Sequence, residues 1–413
     1  MPCLDGRAGA NLVQQAFNLT EFITVRWGLC PMKDGQQRGV LFFRGGLLVL
    51  TAGMLSVALA PSPGADSAVL PAEDLTAWKH SKSVEIKGAG WKSDETDYPI
   101  MIRCHRGKGS DSAENVFLGD AARDDFGDVR FSDGTGQPFS YWMEESVPGK
   151  TAQFWVKVPR IPRDGLTKVR LHYGNAGAAT ASDGKKTFPF FDDFLGDYQG
   201  KWHAKVPPGW TSTYQDGKNC EWIVKDSVIR LRGSGHLTTV DKVWPNPAVA
   251  PCTLRARAAW PDPAFKNPGE NGESFGGVSW PATDGNAWMV LFALYQSHRK
   301  ISASFGSMPS DPEGEKKGAS YIAAHNQKYE LVEFKKADRG AFHTFEIERR
   351  PDETIGRVLD TGEEVRSKRV IPGALHLMIH GCQFDFPNSP YLSVDWMLLR
   401  KQAYPNPSYG SWN

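Results

Sequence analysis

Three tryptophans of this chain each stand beside a glycine or a proline: Trp210 after Gly209, Trp244 before Pro245 and Trp260 before Pro261. Gly and Pro punctuate loops, and loops carry recognition more often than the strands they join. A flat indole exposed in a loop can pack against the axial C–H face of a sugar ring, while neighbouring polar side chains take the ring's hydroxyls. Trp210, Tyr214, Trp244 and Trp260 are therefore the candidate carbohydrate-stacking residues. His236, Asp241, Glu273 and His298 are the candidate hydrogen-bonding partners. Trp222, Trp288 and Trp396 fall in strand patterns and are expected in the core.

Acid–base chemistry is harder to place. Glu346-Ile347-Glu348 puts two carboxylates on one face of a strand, the reach that double-displacement glycoside hydrolysis needs. Their alternation with Phe345 and Ile347 predicts instead a solvated strand face. No Gly-x-Ser-x-Gly elbow supports a nucleophilic serine, so catalytic residues are left unassigned. Further upstream, Asp128, Asp133, Glu144 and Glu145 are the polar candidates, and Asp133-Gly134 reads as a turn. Asp124, Asp125 and Asp128 cluster oxygens as a hard cation would require, but lack the spacing of a calcium loop. The six cysteines include no C-x-x-C pair, which argues against a structural zinc. Cys220 and Cys252 could bridge after export or stay as free thiols.

The elements that must position these residues are strands. Between about 76 and 187, alternating runs recur at Ser83–Lys87, Tyr98–Ile102, Phe154–Val158 and Lys168–His172, with turns between them. Between 188 and 402 they continue at Ser227–Gly233, Cys252–Ala258, Phe342–Arg349, Thr354–Asp360 and Leu392–Leu399. Asp284-Gly285-Asn286 between two apolar runs predicts a hairpin. The fold class is all-β, with two β-sandwich domains at 76–187 and 188–402 and a tail at 403–413 that reads as extended and uncommitted. Ser307–Ser320 reads as a polar surface loop. Where the halves meet, Phe188, Phe190, Phe191 and Phe194 form an apolar joint; Phe188 and Phe190 are expected to seal it.

Residues 1–68 are a leader. Leu47–Ala60 is an apolar run after Arg44, too short to span a bilayer comfortably and similar to a signal-peptide core. A secreted, periplasmic or cell-surface protein is expected, with no stable membrane span once the leader is removed. The formal charge of +1 supplies no basic footprint for nucleic acid.

Two resemblances follow from motifs. Asp128–Asp133, Tyr141–Glu144, Trp155–Pro159 and Leu171–Asn175 resemble the bacterial domain of unknown function 2341 family, in which a tyrosine usually stands where this chain has His172. That resemblance implies a sandwich and an exported setting, without a reaction. Phe191–Phe194, the Gly277…Asp284-Gly285-Asn286 segment and Val394-Asp395-Trp396 resemble the concanavalin A-like lectin/glucanase jelly roll in its laminin-G-like form. The resemblance implies that the first and last strands lie together, bringing Phe194 near Trp396. It also implies a structural calcium held by Asp193 and Asp395. The Glu-x-Asp-x-x-Glu string of that fold's glucanases is missing here.

Together these readings favour an exported carbohydrate-binding or surface-recognition protein whose partner is a polysaccharide. A glycoside hydrolase or lyase with dispersed carboxylates, and a structural cell-envelope module, are the two alternatives.

Overall fold

The computed structural model describes residues 27–31, 37–41, 74–196, 198, 200–203, 220–233, 235–259, 274–279, 288–294, 301–306, 329–338, 340–368, 370, 373–383 and 391–413. The chain divides into two compact units, 1–67 and 68–413. In the first, β1 (Trp27–Pro31) and β2 (Gln37–Leu41) form an antiparallel ladder. The apolar run expected as the leader's core lies outside the described residues. No helix among the described residues is long and apolar enough to cross a membrane.

The larger unit begins with seven strands: β3 (His80–Lys87), β4 (Glu95–His105), β5 (Asn115–Phe117), β6 (Arg130–Ser132), β7 (Tyr141–Val147), β8 (Thr151–Ile161) and β9 (Leu166–Tyr173). They form two sheets, β5-β4-β8-β7 and a second containing β3-β9-β6. Period-two alternation decides which side chains go inside. Val84 and Ile86 from β3, Ile100 and Ile102 from β4, and Phe154, Val156 and Val158 from β8 meet in one core between the sheets.

A four-residue helix, α1 (Gly184–Thr187), leads into β10 (Phe190–Asp192) and β11 (Trp202–His203). Then follow β12 (Cys220–Lys225), β13 (Val228–Gly233), β14 (Gly235–Thr239), β15 (Cys252–Ala259), β16 (Ser274–Ser279), β17 (Trp288–Leu294), β18 (Ile301–Gly306) and β19 (Tyr329–Glu333). The series closes with β20 (His343–Arg349), β21 (Thr354–Val358), β22 (Glu363–Ser367), β23 (Met378–Gln383) and β24 (Leu392–Lys401). One sheet runs β12-β13-β24-β15-β20-β21-β22 and the other β11-β14-β23-β16-β17-β18-β19. Leu254, Ala256, Phe345, Ile347 and Leu399 of the first face Leu237, Met378 and Ile379 of the second across a shared core. β16 and β17 are antiparallel neighbours, as the hairpin reading requires, although the turn itself lies outside the described residues.

The first and last strands of this series pair, with Phe190 opposite Leu399 and Asp192 opposite Met397. Alternation along β10 corrects the expected sealing pair. Phe190 turns into the second core beside Trp202, whereas Phe188 and Phe191 pack with Trp142, Trp155, Trp396 and Leu398 between the two sandwiches. Trp142 meets Phe191 and Trp396 edge to face, each at 5.0 Å. Such pairs contribute about 0.5–1.5 kcal/mol each beyond their buried area.

The tail is not uncommitted. β25 (Ser408–Tyr409) pairs with β3 and extends that sheet to β25-β3-β9-β6.

Candidate functional site

The residues expected to bind sugar are described only in part. Trp210, Tyr214, Trp260, Glu273 and His298 lie outside the described residues. His236 sits on β14 opposite His380 of β23. Asp241 is exposed in the turn after β14, where its carbonyl accepts the Thr239 hydroxyl at 2.8 Å. Trp244 is a correction: it is completely buried, bridged by backbone to Leu375, with the Arg349 guanidinium 4.9 Å above its ring. Proline beside a tryptophan signals irregular backbone, but irregular backbone can also carry a core side chain, as it does here. The neighbouring Cys252 is a free buried thiol rather than half of a disulfide, and burial pushes its pKa up to about 12.

Both aspartates expected to hold calcium are described. An Asp193 carboxylate oxygen accepts the Leu195 N–H at 3.2 Å, and the Asp395 carboxylate pairs with Arg257 at 2.5 Å. One carboxylate thus caps a turn and the other pairs with a guanidinium. Among the described residues, no cluster of metal-ligating side chains occurs. The neighbouring Asp192 has the structural role instead. It is fully buried and accepts the Trp202 indole N–H at 2.7 Å and the Phe194 N–H at 2.9 Å, with Lys201 3.5 Å away.

The polar residues of the first sandwich are brackets as well. Asp128 accepts the backbone N–H groups of Arg123 and Gly174 from two separate loops. Asp133 caps its turn by accepting from Thr135 and Gln137. Asp125 caps Gly127, and Asp124 pairs with Arg106, so the aspartates near 124–128 are engaged. His172 is buried 2.9 Å from the Ser132 hydroxyl. That hydroxyl donates to the Asp133 carbonyl, so the imidazole N–H must be the donor to Ser132. Ser132 is wholly buried, which excludes it as a nucleophile for an outside substrate.

The largest polar constellation was legible only in part. Glu346 and Glu348, expected on a solvated face, are each 3% exposed. Glu346 accepts from Arg255 at 2.6 and 2.9 Å, from Arg357 at 2.9 Å and from Arg400 at 3.3 Å. Arg255 also reaches into the first sandwich, where Glu144 takes its guanidinium at 2.7 Å and the Trp155 indole N–H at 2.7 Å. Two guanidinium groups stand over the Trp155 ring, Arg255 at 4.9 Å and Arg400 at 5.0 Å. Glu348 accepts from Arg350, Arg357 and the Tyr404 hydroxyl. Burial alone would raise the Glu346 pKa, but the charges of Arg255, Arg400 and Arg357 outweigh it and bring it down to about 2. For Glu348 burial is again opposed, by the Tyr404 hydroxyl and Arg357, and its pKa also falls. Carboxylates held ionised and saturated with donors cannot deliver a proton to a leaving group. The constellation fastens two sandwiches together and has no free acid.

One aromatic does meet solvent. Trp222, expected in the core, stands on edge strand β12 and is 37% exposed. It points to the same side of the sheet as its partner Leu231, but Leu231 lies deeper in the core and Trp222 sits at the sandwich's lip. Tyr198 meets it at 6.2 Å and 88°, an edge-to-face contact that holds the indole in place. Leu195, 56% exposed, precedes Tyr198 in the loop after β10. Alternation alone cannot mark this position, because it assigns Trp222 to the inner face without showing where the opposite sheet ends.

No curated protein matches the chain. Among solved structures, the endo-1,3-β-glucanase from Streptomyces sioyaensis is similar over 52% of this chain and 95% of its own, at 14% identity and a TM-score of 0.38. A β-agarase A in complex with oligoagarose is similar over 49% and 84%, at 11% identity and a TM-score of 0.35. The immunostimulatory antigen and pseudo β-1,3-glucanase of Mycobacterium tuberculosis is similar over 52% and 99%, at 11% identity and a TM-score of 0.32. Residues 125–205, which include Asp128, Ser132, Glu144, Trp155 and His172, match the family described as Domain of unknown function (DUF2341).

Proposed function

We propose that the protein is an exported polysaccharide-binding protein that stacks a sugar ring on Trp222. The observation that carries this reading is the indole itself, held by Tyr198 and open to solvent at the lip of a β-sandwich. An apolar platform whose ring is already fixed loses little conformational freedom when a ligand lands on it. The apolar run Leu47–Ala60 supports export. Binding is favoured over hydrolysis because the paired carboxylates Glu346 and Glu348 are locked in arginine contacts.

Affinity electrophoresis of the full chain through gels of soluble β-glucan, agarose-type galactan and xylan tests the proposal. At least one polysaccharide is expected to retard the protein, and Trp222→Ala is expected to weaken that retention by about tenfold, the effect of truncating an aromatic anchor. Retention equal in the wild type and the variant would remove Trp222 from the site. Release of new reducing ends or unsaturated products would overturn the non-catalytic reading.

A further inference from the structure

Strand register brings three histidines of the second sandwich onto one face of one sheet. His236 on β14 lies directly opposite His380 on β23. Thr238, two residues further along β14, lies directly opposite His203 on β11. Residues two apart on a strand share a face, and so do directly opposite residues on neighbouring strands. His203, Thr238, His236 and His380 therefore share a face, the reverse of the one from which Leu237 and Trp202 enter the apolar core. β11, β14 and β23 are consecutive in the sheet, so β11 and β23 flank β14 at a separation of about 10 Å. Directly opposite residues have Cβ atoms about 4.5–5.5 Å apart, and diagonal ones, such as His203 and His236, about 7–8 Å.

Thr238 supplies an independent observation. It is buried, and its hydroxyl has no hydrogen-bond partner among the described residues. Leaving a buried hydroxyl unpaired costs about 1–3 kcal/mol, so a fold that keeps one there calls for an explanation. The next residue shows the usual outcome. Thr239, equally buried but on the other face, donates its hydroxyl to the Asp241 carbonyl at 2.8 Å and accepts the Leu377 N–H at 2.9 Å. Only the hydroxyl on the histidine face is left over. A histidine that ligates a metal gives its other ring N–H to an acceptor that fixes the ring, and a threonine hydroxyl has lone pairs to accept it.

We propose that His203, His236 and His380 form a three-histidine site for a divalent transition metal of the zinc class, with the Thr238 hydroxyl accepting one of their ring N–H groups. Neutral imidazoles suit zinc, copper and nickel, whereas calcium and magnesium take oxygen ligands. Three protein ligands leave a fourth position for water or a small ligand. Cys382 shares this face of β23 but stands four residues beyond Met378, the residue opposite Thr238. That is about 13 Å along the strand, too far to share an ion with His203. The lack of a C-x-x-C pair counts against cysteine-bound zinc and does not touch this site, because its ligands come from three strands with no common spacing. His236 thereby takes a role other than the sugar contact expected of it.

The test loads the untagged full chain with metal. After stripping with chelator and dialysis against zinc, the wild type is expected to retain zinc stoichiometrically. His203→Ala, His236→Ala and His380→Ala are each expected to lose it, whereas His80→Gln, at the exposed start of β3, keeps it. Thr238→Val is expected to bind about 10–100-fold more weakly, as when a ligand's supporting hydrogen bond is removed. Circular dichroism of each variant in chelator separates loss of metal from loss of fold. The cobalt spectrum of the wild type needs no variant: it is expected to show the visible bands of a four-coordinate ion and no thiolate-to-metal band. A wild type that retains no zinc, a cobalt spectrum like that of the hydrated ion, or folded histidine variants that bind as the wild type does would overturn the site. A thiolate band that Cys382→Ser removes would overturn the three-histidine ligand set. Unchanged affinity in Thr238→Val would overturn the role given to that hydroxyl.

Discussion

The two faces of the sheet β12-β13-β24-β15-β20-β21-β22 are both buried, yet by opposite chemistry. The inner face carries Leu254, Ala256, Phe345, Ile347, Met397 and Leu399 into an apolar core. The outer face, one residue out of phase, carries a row in which Leu398, Arg255, Glu346, Arg357 and Glu364 stand opposite one another strand by strand. Trp142, Glu144 and Trp155 of the first sandwich cover the row's β24 end, while Glu364 on edge strand β22 stays near solvent. Apolar burial is indifferent to pairing, whereas ionic burial is stable only while every charge keeps its partner. The sandwiches are thus joined by a fastener that is specific because it is intolerant.

The sharpest way to break this comparison is Arg255→Ala. It leaves Glu346 with Arg357 and Arg400 alone and Glu144 with only the neutral donors Gln153 and Trp155, under a water-excluding cover, and removing one partner of a buried pair typically costs about 3–5 kcal/mol. Ile347→Ala on the inner face, between the two glutamates, is expected to cost about 2–5 kcal/mol through the cavity it leaves. Similar losses at pH 7 would not make the sites alike, because pH separates them. Arg255→Ala is expected to regain part of its loss as acid protonates Glu346, which has lost the first of its three arginines, while the Ile347→Ala loss should persist. Chemical denaturation of both variants at pH 7 and pH 4 checks this; equal deficits at both pH values would contradict the ionic account of the outer face.

Wild-type pH dependence sharpens the same contrast. Glu346 titrates near 4.5 when unfolded and about 2 when folded, so its contribution is fully present above 4.5 and lost as pH falls toward 2. His172 acts at milder acidity. Burial, helped by the Arg170 charge, lowers its pKa from 6.5 to about 4. The unfolded chain therefore binds this proton first, and stability falls as pH drops from 6.5 to 4, then levels with respect to this group. His172→Gln keeps a donor for Ser132 and is expected to flatten the melting temperature across that window. An unchanged slope would show that another group titrates there.

How much of this was legible beforehand follows from what alternation encodes. Period two identified the strands Ser83–Lys87 and Cys252–Ala258 and set Phe345 and Ile347 on the apolar side of theirs, because one apolar face is a property of the strand itself. It misread Glu346 and Glu348, since a polar face looks the same whether water or another sandwich covers it. It misplaced Trp222 for the converse reason: an inward-pointing residue is buried only if the opposite sheet extends that far. Trp244 shows that a proline neighbour reports backbone irregularity without reporting exposure. The strand added by Ser408–Tyr409 was invisible because two residues show no period, and their partner lies more than three hundred residues earlier.

The smallest expected effect comes from the adjacent aspartates at the start of the second sandwich. Asp192→Ala leaves the buried Trp202 indole N–H and the Phe194 N–H without their acceptor, and is expected to cost about 1–3 kcal/mol. Asp193→Ala removes one 3.2 Å turn contact in an exposed loop and should stay within about 0.5 kcal/mol. Calcium enters the same comparison. A cation bound between Asp193 and Asp395 would add stability by mass action, so calcium would raise the melting temperature and Asp193→Ala would abolish the rise. The Arg257–Asp395 ion pair occupies the second ligand. Melting temperatures in excess calcium and in chelator are therefore expected to coincide, for the wild type and for Asp193→Ala alike. A calcium-dependent rise that Asp193→Ala removes would mean that Arg257 yields its carboxylate to the metal, and the ordering of these two aspartates would reverse.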